Sequence, residues 1–344
     1  MKITLLSFLI LCCLSSVIFA ATNTSSKPIL ISIPQGEPGI GFDDIIFAQG
    51  LRKILVPSGR TGKLNLINPD NLEIVSIVGF SSKAAGQGGR SHAQGTTSAD
   101  EGQGLIFAND RNKKAVAIVD PMAKKIIASA ALAGGSDYVR YVKSANEVWV
   151  TDPSNERIEV FSLSIKGKPV LTHSRFISVP GGPESLVIDN TRQRAYTNLW
   201  TGATIAIDIK THSVIAQWPN SCEGSRGITL DERQGFLFVG GQEGKAVVLD
   251  VNHNGKILSS LQSGSGVDII SYNPSLSHLY LPGGDSATLA ILGVSAAGQL
   301  ALLGMVNTAN DAHCAAADDR NNFWVCDPGS GRLLLFKDPF PKSN

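Results

Sequence analysis

One unit recurs seven times along these 344 residues: an apolar strand, a polar turn and a second apolar strand. The second strands read Leu64-Asn65-Leu66-Ile67, Ala115-Val116-Ala117-Ile118, Ile158-Glu159-Val160-Phe161, Thr204-Ile205-Ala206-Ile207, Val247-Val248-Leu249, Thr288-Leu289-Ala290-Ile291 and Leu333-Leu334-Leu335-Phe336. Each is preceded by a partner such as Val148-Trp149-Val150 or Phe323-Trp324-Val325, and the repeats are spaced at roughly 40 to 50 residues, which is the period of four-stranded propeller blades. The expected fold is therefore all-β, a seven-bladed β-propeller. The last repeat stops one strand short, whereas Pro28-Ile29-Leu30-Ile31-Ser32-Ile33 is a strand without a blade. An open ring would leave two adhesive sheet edges, so the N-terminal strand is expected to complete the last blade and close the circle.

Residues 1–20 carry one cation, Lys2, then an apolar run ending in Phe19-Ala20-Ala21, the layout of a secretory signal peptide. Residues 21–344 then form a single propeller domain, periplasmic or secreted and expected to be monomeric. No later stretch is long enough to span a bilayer. A net charge of +1 with 17% charged residues excludes a basic nucleic-acid-binding face and leaves a small molecule or a protein as the expected partner. Beyond the signal stand Cys222, Cys314 and Cys326. The last two flank one hairpin at equal distance from its turn, so they form either a disulfide, which an oxidising compartment allows, or two buried thiols; Cys222 is left over in the first case.

The innermost strand of each blade starts at one end of the central channel, so its first residues form a ring. Counting back from each second strand gives Asp44, His92, Asp137, Glu184, Arg226, Asp268 and His313, with Asp43 and Gln94 as substitutes at the first two positions. Charged groups converging on a concavity need pairing, water or a ligand. Three readings stay open: ion pairs that lace blades together, a binding site for a small polar ligand, or catalysis. Arg226 favours an organic anion, because a guanidinium grips carboxylate or phosphate with two hydrogen bonds and repels a cation. In the catalytic reading, His313, Asp268, Glu184 and Asp137 would hold zinc, manganese or calcium and His313 or His92 would act as general base; otherwise no cofactor is expected. The same face should carry the Gly-rich segment ending in Arg90-Ser91-His92 and the turns after each second strand, among them Asp110-Arg111, Asp152, Trp200, Asp285 and Asp327. Trp200, set in a polar turn, reads as a contact aromatic, and Arg90 as a contact residue in a cover over the channel.

Trp149-Val150-Thr151-Asp152, Ala195-Tyr196-Thr197-Asn198 with Ile205-Ala206-Ile207-Asp208, and Ala115-Val116-Ala117-Ile118-Val119-Asp120-Pro121 resemble the repeats of YVTN-type seven-bladed propellers, a superfamily with lactonase-like members. The likeness spans the mature chain and its motifs are structural. It implies a ligand- or partner-binding propeller, or alternatively a metal-dependent hydrolase of lactones or similar esters.

Overall fold

The computed structural model describes residues 27–82 and 94–344. They form seven four-stranded antiparallel sheets arranged as a closed propeller. The proposed signal peptide, Arg90 and His92 lie outside the described residues. Six blades are consecutive in the chain, from Ile46–Ser82 to Ser271–Asn307; the seventh joins Ala315–Ala317, Asn322–Asp327 and Arg332–Lys337 to the N-terminal strand Ile29–Ser32. Ile29, Leu30 and Ile31 pair with Leu335, Leu334 and Leu333, so the closure expected from the unmatched strand is present.

Second and third strands are apolar on both faces because each blade is sandwiched between two others, the condition under which alternation gives way to continuous apolar runs. Phe107 and Ile118 of the second blade pack on Val139 and Val150 of the third. Between the sixth and seventh blades, Tyr280 stacks on Phe323 at 4.8 Å and Phe323 on Phe336 at 5.1 Å. Trp149 and Trp324, equivalent in the repeat, are fully buried and donate their indole N–H groups to Glu147 and Asp318 at 2.8 and 2.9 Å. Burial of a bulky ring at that position is what spaces adjacent blades, and the paired carboxylates satisfy the one polar atom each ring brings. After the last strand, the tail is held by buried Asp338, which accepts from Tyr280 Oη at 2.7 Å and pairs with His278 Nδ1 at 2.8 Å.

Cys314 and Cys326 form a disulfide across the first hairpin of the last blade, with Cα atoms 5.6 Å apart, and Cys222 is buried and unpaired as a thiol. The bridge suits an oxidising compartment. Among the described residues, no helix is long and apolar enough to cross a membrane. The hairpin is already closed by strand pairing, so the bridge adds less than a cross-link between unrelated segments would. Replacing both cysteines with serine should lower stability by about 1–3 kcal/mol in chemical denaturation, and dithiothreitol should reproduce the loss in the unaltered chain.

Candidate functional site

Strand register assigns one residue per blade to the level at which the inner strands enter the channel. Val139 opposes Val150, which places Asp137 two residues before it; the same count in the other blades gives Asp43, Thr97, Glu184, Arg226, Asp268 and His313. Two expectations change. Asp43, the substitute, takes the ring position in the first blade, and Asp44 points away from the mouth: its carboxylate accepts from Ser98 Oγ and is held by Arg140 Nη1 at 2.6 Å and Nη2 at 3.0 Å. Adjacent strand residues face opposite ways, so a one-residue error in counting exchanges the two aspartates. In the second blade the position belongs to buried Thr97, whose N–H bonds to Asn109 Oδ1 at 2.9 Å, rather than to His92 or Gln94. The connection into that blade is longer than the others, so a fixed count misplaces the position.

Asp43, Asp137, Glu184, Arg226 and Asp268 line one cavity of about 520 Å³. Turns after the second strands complete it with Arg111, Ser154 and Trp200. Six blades thus contribute to one concavity. The ring alone did not reveal Arg111, which comes from a turn and forms an ion pair with Asp137 while its Nε donates to the Ser136 carbonyl at 2.6 Å. Asp110, Asp152 and Asp327, expected on the same face, are engaged elsewhere: Asp110 accepts from Ser81 N of the first blade at 2.7 Å and from Lys113 N of its own turn at 3.2 Å, and Asp152 and Asp327 pair with Arg157 and Arg332 at 3.0 and 2.7 Å. Asp285 lies outside the cavity wall.

Arg226 is the hub. Its guanidinium carbon lies 4.2 Å from the centre of the Trp200 ring and its Nη1 3.5 Å from Asp268, while its Nε has no hydrogen-bond partner among the described residues. Trp200 is 42% exposed and donates its indole N–H to Glu184. The Trp200 ring holds the guanidinium in the cavity wall, a preorganisation that lowers the ordering cost of ligand capture.

The carboxyls divide by partner. Arg111 pairs with Asp137 and Arg226 with Asp268, whereas Asp43 and Glu184 form no ion pair among the described residues. Burial, reinforced by the field of Asp137, pushes Asp43 well above the carboxylate range. Burial and then the Asp137 and Asp268 charges raise Glu184 to about 8, and burial raises Asp137 to about 6 against the opposing pull of Arg111. At neutral pH Glu184 is therefore mostly the neutral acid with an O–H to donate, and burial biases Asp43 in the same direction.

His313 sits beside the ring with Nδ1 2.6 Å from the Asp311 carbonyl and Nε2 3.2 Å from the Phe42 carbonyl. Carbonyl oxygens only accept, so this arrangement is satisfied when both nitrogens carry protons. Burial opposes the charge, but the bonds to Asp311 and the nearby carboxylates prevail and raise its pKa. An imidazolium with both nitrogens engaged has no lone pair for a metal. Among the described residues, His313, Cys314 and Cys326 are the one group of three such donor side chains within 4.8 Å of one another, and its two sulfurs are joined in the disulfide. With Arg111 and Arg226 also in the mouth, the donor set fits a divalent ion poorly.

No protein-family model matches the chain, and no curated protein matches it in sequence. Similar solved structures include a chain of the mitotic checkpoint complex, with 10% identity and a TM-score of 0.75 over 98% of this chain and 99% of that one. Hydrazine synthase of Kuenenia stuttgartiensis gives 11% identity and 0.71 over 93% and 99%. The Cps50 (Swd1) β-propeller domain of Myceliophteria thermophila gives 12% and 0.70 over 89% and 99%. At such identities the likeness is one of fold alone.

Proposed function

We propose that this chain is an exported propeller of the YVTN type that binds a small organic anion at its channel mouth and does no chemistry on it. The observation that carries the reading is the asymmetry of the ring: Arg111 and Arg226 face a 520 Å³ cavity in which Asp43 and Glu184, which form no ion pair among the described residues, are shifted toward the neutral acid. With Arg111 and Arg226 set against Asp137 and Asp268 and with Glu184 shifted to about 8, the mouth carries far less negative charge at neutral pH than its four carboxyls would suggest. It offers a carboxylate the Arg226 guanidinium and the Glu184 O–H, with Trp200 as an apolar wall for the ligand's carbon skeleton.

Proton linkage gives the reading a signature. Glu184 is protonated below about 8 and gains a negative charge above it, so anion affinity should fall as pH rises through that range. The unliganded protein follows the same sign: a carboxyl raised in the folded state contributes fully below its ordinary 4.5, and that contribution is lost as pH climbs to about 8. Calorimetric titration of the mature protein with citrate, gluconate and benzoate at pH 6 and pH 9 tests both. Binding of one anion per chain should weaken at the higher pH, and Arg226→Ala should reduce it at least about tenfold. Equal affinity in Arg226→Ala, or no binding by any of the three, would count against the proposal.

A further inference from the structure

The opposite half of the channel holds a second cavity of about 440 Å³ with a different chemistry, and Tyr138 stands in the wall of both. Here the inner strands are nearing their far ends, and the lining is dominated by Ile46, Phe47, Val187, Ile228 and Tyr272, all only partly buried although they lie on inner strands. Comparable side chains one strand further out are fully buried, whereas these keep an edge open to the channel, Tyr272 while stacked on Phe238 at 4.7 Å and bonded through its hydroxyl to Asp231. Apolar surface left in an enclosed concavity of this size is the usual character of a small-molecule site.

Polar groups narrow the occupant. Arg140 is the one basic side chain in the wall, and both of its terminal nitrogens are taken by Asp44. Asp318 and Asp319 also line the wall, Asp318 buried and accepting from Asn322 and Trp324, Asp319 paired with Arg52 at 2.8 Å. A charged ligand of either sign would find its counter-charges already paired, Arg140 with Asp44 and Asp319 with Arg52, and would lose its hydration without gaining a partner. Thr229 and Ser271 occupy the same level of adjoining blades, since Phe238 and Tyr280, which they oppose, are equivalent in the repeat. Ser271 Oγ accepts from Ala317 N at 2.9 Å and donates to nothing among the described residues; the Thr229 hydroxyl has no hydrogen bond among them. Two hydroxyls with O–H groups to donate thus stand at one level of a wall whose charged groups are already paired.

We infer that the lower channel is a second binding site, taking an uncharged, mainly apolar small molecule whose carbonyl or ether oxygen accepts from Thr229 and Ser271. This site is independent of the anion-binding mouth. The probe is Prodan, an uncharged naphthyl ketone whose fluorescence reports both an apolar surrounding and hydrogen bonding at its carbonyl. Titration should show saturable binding of one probe per chain. Gln49→Trp, an exposed turn residue at the cavity edge, should obstruct entry and weaken binding at least about tenfold. Thr229→Val with Ser271→Ala, which retain volume, should weaken it about fivefold and shift the bound emission to shorter wavelength as the hydrogen bonds disappear. Trp200→Ala, in the anion-binding mouth, should leave it unchanged. The inference is overturned by the absence of saturable binding, by binding that ignores both lower-channel variants, or by loss of binding in Trp200→Ala. The calorimetric result with carboxylates is read separately, so either site can fail without the other.

Discussion

Deleting Pro28–Ile33 abolishes cooperative folding at 37 °C. The strand Ile29–Ser32 covers the edge of Arg332–Lys337 and buries Ile31, with Ile33 buried just after it. Two buried isoleucines are worth about 1.5–3 kcal/mol each, and the ladder hydrogen bonds add about 0.5–1.5 kcal/mol apiece. The sum is close to the whole stability of an ordinary domain, about 5–15 kcal/mol. Loss extends beyond the contacts themselves, because a propeller with one incomplete blade also presents a bare strand edge to other molecules. Thermal unfolding by circular dichroism, with size-exclusion chromatography, reads the outcome. A deletion variant that stays monomeric and melts within a few degrees of the intact chain would show that the seventh blade closes without its outer strand.

Arg140→Ala is the most damaging single substitution expected in the channel. Asp44 is 2% exposed and receives both terminal nitrogens of Arg140, which arrives from two blades away. Removing the guanidinium strands a buried carboxylate with Ser98 as its remaining side-chain partner, a change that typically costs about 3–5 kcal/mol. The double variant Arg140→Met with Asp44→Asn removes both charges and should recover much of that loss in urea unfolding. If the single and double variants were equally destabilised, the pair would not act as a channel tie and Arg140 would matter through packing alone.

These two ties differ in how readily the chain discloses them. Closure was legible because Ile29–Ser32 is apolar, isolated from any repeat and matched by a vacancy in the last one. The disulfide followed from symmetry about a hairpin turn, and the buried roles of Trp149 and Trp324 from their equivalent places in the repeat. Five ring positions, Asp137, Glu184, Arg226, Asp268 and His313, are legible by counting because the connections into blades three to seven are nearly uniform. Where the connections vary, counting failed: Asp43 replaced Asp44, and Thr97 held the position sought near His92. Nor does a one-dimensional count show partners. That Arg111 answers Asp137, that Trp200 carries Arg226, and that both nitrogens of His313 are taken by carbonyls are facts of side-chain direction set by neighbouring blades. The lower cavity was invisible for a related reason: Ile46, Phe47 and Val187 look like ordinary core residues until closure of the ring leaves space between them.

The position of a bound anion tests the central claim most directly. Crystals of the mature protein grown with 4-bromobenzoate allow the bromine to be located by its anomalous scattering. The account predicts the carboxylate against Arg226, within reach of Glu184 and Asp43, and the ring beside Trp200. Bromine confined to lattice contacts, or an anion seated in the lower channel with the mouth holding only water, would contradict it.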